Sequence, residues 1–331
     1  MEVLMKYRTL GQTGLKVSDV GIGAFPLSGM WKQPDGSLYG WHGTEDRESI
    51  ALIHRAEDLG INLIDTAEGY GEGHSEEVVG QALKGRREKW VVATKVQPNR
   101  GIDAAKPDLK AAKARIFSAA EESLQRMGTD HIDLYQLHAI PHEATGPVVM
   151  EALAELKRQG KVRWYGISTN HRAAIDRLKT YGPIHLLQIG YNLLEREADA
   201  LLTWSKQEDI GTLIRVPLAK GMLTGKYAGP GAAKVPENDL RYERYQKPES
   251  IDALKKLPQL NFLAEGTGRT MPQAALRFIL DHPGVSCVIA GAKNREQIEQ
   301  NAAAVDVPPI SDEERQRAFA IADTIRTPGW T

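Results

Sequence analysis

Eight short apolar runs, each followed by a stretch of helical periodicity, constrain this chain of 331 residues more than any other feature. They read as strands over 19–23, 62–65, 90–95, 132–138, 163–168, 186–191, 211–217 and 286–291. All are β-branched or apolar and bounded by Gly, Asp or Pro. The helices between them have legible ends. Thr44, Ser75, Asn170, Thr270 and Asn294 stand where N-caps belong, and Ser311 with Glu314 spells a capping box. The segment 108–128 stops at Gly128, and "GPVVMEALAELKRQG" has its Pro near the start and Gly160 past the end. Regular β–α alternation means a parallel sheet, and eight strands favour a closed (β/α)8 barrel over an open doubly wound sheet. Before the first barrel strand, "YRTLGQTGLKV" reads as a β-hairpin that plugs the bottom. The irregular region 219–250 reads as a mobile loop after the seventh strand. Nothing resembles a linker, so one domain over 1–331 is expected.

Composition removes several classes of function. The formal net charge is -1, from 42 basic and 43 acidic residues, which gives no reason to expect nucleic acid or an anionic membrane as partner. No apolar run is long enough to span a bilayer, and the N-terminus lacks the pattern of a secretory signal. The single Cys, Cys287, excludes an intramolecular disulfide and lies in the apolar stretch "GVSCVIAG", where it reads as an inert buried thiol. A cytoplasmic protein is expected. Oligomeric state is not encoded legibly.

In a barrel of this kind chemistry collects at the C-terminal ends of the strands. The second strand ends at Asp65 with Tyr70 in the loop beyond it, the third at Lys95 and the fourth at His138. Taken singly, each has an ordinary use as a turn, solvated or packing residue. Taken together, they make an acid. A phenol, pKa near 10, is an indifferent proton donor at neutral pH. A neighbouring ammonium stabilises phenolate and lowers that pKa. The ammonium is costly to bury without a carboxylate, and a neutral imidazole can orient a carbonyl. The glycine-rich "EGYGEG" does not suit a phosphate: His74 stands where a third glycine of the G-x-G-x-x-G register would be, and Glu68 and Glu72 flank it. Gly69, Gly71 and Gly73 are read instead as letting the backbone bring Tyr70 back over Asp65 and Lys95.

With "NLIDTAEGYGEGHSEEVVGQAL", "ATKV" and "IDLYQLH" on one chain, the sequence resembles the aldo-keto reductase superfamily over essentially its whole length. The resemblance implies a catalytic tetrad of Tyr70, Lys95, Asp65 and His138, and hydride transfer from a nicotinamide cofactor. It implies Ser168, Asn170 and Gln188 at the carboxamide, with Thr169 lying between the first two and leaving that pair uncertain by one residue. Arg215 stands where the family has an aromatic against the nicotinamide, and a guanidinium plane can also stack on a flat ring. Leu218, Lys220 and Gly221 fall at the pyrophosphate. Lys293 and Arg295 add charge suited to a 2′-phosphate, so NADPH is favoured over NADH, and Gln297 and Asn301 match positions near the adenosine. Trp31, Tyr39 and Trp41 of the first loop, and Trp330, are the candidates for touching a small carbonyl or alcohol substrate.

Two further readings use the same residues. A cofactor-binding partner protein of the same fold, like the β-subunits of potassium channels, would bind nicotinamide with little turnover. A Schiff-base barrel using Lys95 would leave Tyr70, Gln188 and the strand-eight segment without purpose.

Overall fold

In the computed structural model of the chain, residues 4–32, 36–229, 234–327 and 329 are described; Trp330 lies outside them. Eight parallel strands close a barrel: β3 (Val20–Gly23), β6 (Leu63–Asp65), β7 (Val91–Val96), β8 (Ile132–Leu137), β9 (Val162–Ser168), β10 (Leu186–Gly190), β11 (Gly211–Arg215) and β12 (Cys287–Ala290). They run in chain order around the barrel, β10 closing against β9. Away from the mouth the strands are largely apolar on both faces because one side packs the interior and the other the helix layer. That layer comprises α1 (Asp46–Asp58), α2 (His74–Leu83), α3 (Leu109–Met127), α4 (Gly146–Arg158), α5 (Arg172–Lys179), α6 (Asp199–Gln207), α9 (Met271–Leu280) and α10 (Arg295–Ala302). Two further helices, α7 (Tyr242–Tyr245) and α8 (Pro248–Lys256), lie between β11 and α9, and α11 (Asp312–Ala322) is the last helix among the described residues.

The expected hairpin is β1 (Tyr7–Thr9) against β2 (Lys16–Ser18). It closes the bottom, where Leu10 and Val17 are buried among Leu63, Val91, Leu134, Leu186 and Leu213 at the strand starts. Gly11 is obligatory there. Its φ is +47°, and a Cβ would lie 2.4 Å from the Asp209 carbonyl oxygen.

Local chemistry fixed several helix ends as read. Thr270 with Gln273 and Ser311 with Glu314 form capping boxes, while the side chains of Asp108 and Asn294 cap α3 and α10. Three of the expected caps are otherwise employed. The Thr44 hydroxyl donates to the Pro26 carbonyl (2.9 Å), and α1 starts two residues later. Ser75 lies inside α2, its hydroxyl accepting from Thr66 (2.9 Å) and donating to the Ala24 carbonyl (3.2 Å). Asn170 spends its amide on both backbone groups of Gly190, tying the end of β9 to β10 (2.9 and 2.8 Å). In each case a tertiary backbone partner outcompeted the local one.

The seventh strand is two residues shorter than read, because Val216 takes φ +57° and Pro217 has no N–H to continue the ladder. Two features went unforeseen. The first loop folds into a second hairpin, β4 (Met30–Lys32) against β5 (Leu38–Gly40), pairing Trp31 with Tyr39. The region read as a mobile loop carries helical turns, with Met222, Leu223 and Tyr245 buried.

Candidate active site

Strand phase puts Asp65, Lys95, Gln136 and Gln188 on the inner face of the barrel near its mouth, each of them at most 2% exposed. Lys95 Nζ donates to Asp65 Oδ2 (2.6 Å), to the Thr66 carbonyl (2.8 Å) and to the Tyr70 hydroxyl (3.1 Å). The other Asp65 oxygen accepts amide protons from Gln136 (3.0 Å) and Gln188 (2.8 Å), and Gln188 also donates to Gln136 Oε1 (3.2 Å). The carboxylate is therefore saturated and the ammonium fully paired, as a buried pair requires.

Tyr70 stands above this floor, its ring edge-on to Phe25 (4.9 Å between centroids) and to His138 (5.6 Å). His138 is one residue beyond β8, still fixed by its N–H to the Val96 carbonyl (2.8 Å). Gly71 (φ +64°) and Gly73 (φ +99°) supply the left-handed conformations that this turn requires. Gly69 does not: its φ is ordinary and a Cβ there would meet nothing within 4 Å, so the role read for it falls to the other two.

Electrostatics depart from the sequence reading at one point. Burial pushes the Tyr70 phenol up, and Asp65 adds to it, outweighing the downward pull of Lys95 and Arg215. The phenol is thus held protonated through the neutral range. Burial alone would lower Lys95, but the charges of Asp65 and Tyr70 raise it above its ordinary value. Burial and the charges of Lys95 and Arg215 bring His138 down to about 3, so the imidazole is neutral at physiological pH. Its Nδ1 is buried without a hydrogen-bond partner among the described residues.

These groups open into a cleft of about 690 Å3. It is lined by Asp65, Tyr70, His138, Ser168, Gln188, Arg215, Leu218, Lys220, Gly221, Lys293, Gln297 and Asn301, all singled out in the sequence. Lys95 lies beneath. Four other expected residues are not in the lining: Asn170, bound to Gly190; Arg295, which pairs with Glu299 (2.9 Å) and is 70% exposed; and Trp31 and Tyr39, which meet edge-to-face in the second hairpin. Trp41 of the same loop does reach the cleft.

Sequence reasoning missed Phe25, Gln136 and Arg241. Gln136 had a usable signal, being two residues before His138 on the inward phase of its strand. Arg241 had none. It lies in the region read as mobile, holds Asp239 through two nitrogens (both 2.7 Å) and stacks on Trp41 at 3.9 Å. Lys293 donates to the His42 carbonyl (2.7 Å) near the same tryptophan. Burial lowers Lys293 to about 8, with Arg241's charge adding to it, and burial with Arg244 and Arg215 does the same for Lys220. The backbone between β11 and these groups is strained: Val216, Ala219 and Lys220 all have positive φ, which is uncommon outside glycine and a true outlier for a β-branched residue.

A profile of the Aldo/keto reductase family matches residues 21–323. The chain belongs to that family. Among curated relatives, the aldo-keto reductase YhdN of Bacillus subtilis (strain 168) is 36% identical over 89% of this chain and 87% of its own length. The NADH-specific methylglyoxal reductase of Escherichia coli (strain K12) is 33% identical over 92% of this chain and 94% of its own. Among solved structures, an aldo-keto reductase from Klebsiella pneumoniae in complex with NADPH superposes with a TM-score of 0.72 at 26% identity, covering 99% of this chain and 97% of that one.

In this aldo-keto reductase the donor set suits a nicotinamide dinucleotide, the cofactor class of the family. Gln188 commits its nitrogen to Asp65 and Gln136, leaving its oxygen for a ligand's amide. Arg215, Lys220 and Lys293 supply positive charge along one side of the cleft. Among the described residues there is no cluster of metal-ligating side chains and no helix long and apolar enough to cross a membrane.

Proposed function

We propose that this oxidoreductase reduces aldehydes or ketones to alcohols, reversibly, with NADPH as hydride donor and Tyr70 as general acid. The observation that carries the reading is the position of Lys95 Nζ, hydrogen-bonded at once to the buried Asp65 carboxylate and to the Tyr70 hydroxyl at the floor of the cleft.

The bound cofactor supplies the hydride that the carbonyl carbon accepts. The chain's own residues deal with the oxygen. Tyr70 gives it a proton, forming the alcohol, and the phenolate left behind is stabilised by the Lys95 ammonium. Asp65 keeps that ammonium charged, and neutral His138 has one N–H to orient the carbonyl. Phe25, Trp41 and Tyr70 give the substrate an apolar wall. On this reading Ser168 and Gln188 hold the carboxamide, Arg215 lies against the nicotinamide, and Leu218, Lys220 and Gly221 meet the pyrophosphate. Lys293 takes the 2′-phosphate, with Gln297 and Asn301 at the adenosine. Lys293 supports NADPH over NADH because a phosphate dianion needs a cation that a ribose hydroxyl does not.

Loss of NADPH absorbance with a panel of aldehydes and ketones tests the reading, for wild type and Tyr70→Phe. Turnover by wild type, lowered about 10²- to 10⁴-fold by the substitution, is expected. Turnover at the wild-type rate after the substitution would sink the mechanism. Tight NADPH binding without turnover on any carbonyl would favour a cofactor-binding partner protein instead.

A further inference from the structure

We propose that two buried ion pairs behind the tyrosine loop, Glu68–Arg115 and Glu76–Arg126, are positioning residues that hold the Tyr70 hydroxyl in register with Lys95; this rests on the proton-donor role assigned to Tyr70 above. Glu68 and Glu76 bracket the loop, two residues before Tyr70 and six after it, and they are 4% and 0% exposed. Carboxylates so buried are costly unless paired. Both partners come from α3, eleven residues apart, which is about three helical turns and so one face.

Each carboxylate also grips the strand that carries Lys95, one on either side of it. Glu76 Oε1 accepts from the Thr94 hydroxyl (2.5 Å), while Oε2 accepts from Arg126 Nε (2.7 Å). Glu68 Oε1 accepts from the Gln97 N–H (2.7 Å) as well as from Arg115, and the Glu68 N–H donates to the Lys95 carbonyl (3.2 Å). The loop bearing the acid is thereby fastened to β7 at Thr94 and to Gln97 just past its end, and through both arginines to one helix, α3. Its position relative to Lys95 does not depend on β6 alone. Gly73 completes the fit, since a Cβ there would lie 2.6 Å from Arg126 Cδ. The third glutamate of the loop differs: Glu72 pairs with Arg100 (3.2 Å) in solvent, where such a pair contributes little.

The test compares Glu68→Gln, Glu76→Gln and Arg126→Lys with Glu72→Gln as the exposed control, in full-length protein. Carbonyl reduction, NADPH dissociation constant by fluorescence and thermal midpoint are measured for each. Displacing a proton donor by a fraction of an ångström to 1 Å costs on the order of 10- to 100-fold in rate. Glu68→Gln and Glu76→Gln are expected to lose kcat by that factor with the NADPH dissociation constant unchanged within about twofold. Arg126→Lys should retain more activity than Glu76→Gln, and Glu72→Gln should match wild type. In a Tyr70→Phe background the glutamine substitutions should have no further effect, because there is no donor left to misplace. Unchanged kcat in folded Glu68→Gln overturns the proposal, as does a loss that persists undiminished with Phe at position 70, which marks general loosening. If Glu76→Gln does not fold, Glu68→Gln decides alone, its amide oxygen still able to accept from Gln97. Wild-type turnover in Tyr70→Phe itself overturns the underlying reading of the site, and the clamp with it; loss of turnover in Tyr70→Phe alone overturns only the clamp.

Discussion

Asp133 sits buried near the start of β8, His138 half-buried just past its end, and the fold treats them oppositely. Asp133 is 1% exposed and accepts from Arg87 (2.6 Å), Arg163 (2.7 Å) and the Val92 N–H (3.0 Å). Nearby at the same bottom end, Arg8 spends its guanidinium on Asp19 and on the carbonyls of Val285 and Leu280. At the mouth, His138 has a ring nitrogen without a hydrogen-bond partner among the described residues, Lys220 and Lys293 are held near 8, and three non-glycine residues after β11 have positive φ. The bottom closes with its polar groups satisfied and the hairpin sealing it. The mouth gathers cationic side chains and strained backbone in the wall of the cleft. Strain and unsatisfied polarity of this kind persist only where the surrounding structure is stable enough to impose them.

The contrast is sharpest in paired substitutions at the two ends. Tyr70→Phe is expected to lower kcat by about 10²- to 10⁴-fold, the usual contribution of a general acid, with the thermal midpoint nearly unchanged. Asp133→Asn is expected to do the reverse. It should cost roughly 3 kcal/mol in denaturant unfolding, the low end for breaking a buried pair because both guanidiniums reach solvent, with kcat at 25 °C unchanged. A kinetic defect in Asp133→Asn at a temperature where it stays folded would break the division between the two ends.

Smaller effects read the mouth itself. Lys293→Met should weaken NADPH binding by about tenfold or more, the worth of one charge-assisted contact, and leave NADH binding alone. In the wild type, NADPH affinity should decline above about pH 8 as Lys220 and Lys293 lose their protons, and Lys293→Met should flatten part of that decline. Equal losses for NADPH and NADH would remove Lys293 from the 2′-phosphate. Last, His138 has a folded pKa of about 3 against an ordinary 6.5. Between those values the unfolded chain binds a proton that the native chain does not. Stability therefore rises with pH across that window and is lost as pH falls, by about 1.4 kcal/mol per pH unit for one proton. Urea unfolding between pH 4 and pH 6 should show that slope, and His138→Gln should reduce it.

The barrel was legible because its signals are local. Eight short apolar runs need only their neighbours to be read, and so do Thr270 and Ser311 with their capping partners. That Asp65, Tyr70, Lys95 and His138 come together was legible for a related reason: strand ends at about 5 Å spacing converge whatever packs around them. Departures from the reading came where a competing partner decided. Arg295 pairs with Glu299 one helical turn away and is not in the lining of the cleft, where Lys293 is. Asn170 was taken by Gly190 on the next strand. Arg241 entered the site from a segment with no periodic signal at all.

From the sequence alone came the order of strands and helices, the acid, lysine and histidine at successive strand ends, and the glycines that let Tyr70 turn back. Backbone propensity and periodicity act over a few residues, so a linear reading captures them. The tertiary structure decided which partner each buried charge found. Arg126 reaches Glu76 across 50 residues of sequence, and Gln188 reaches Asp65 across 123. Burial, which exists only once the chain has closed on itself, set the direction of Tyr70's shift against the one its neighbouring lysine suggested.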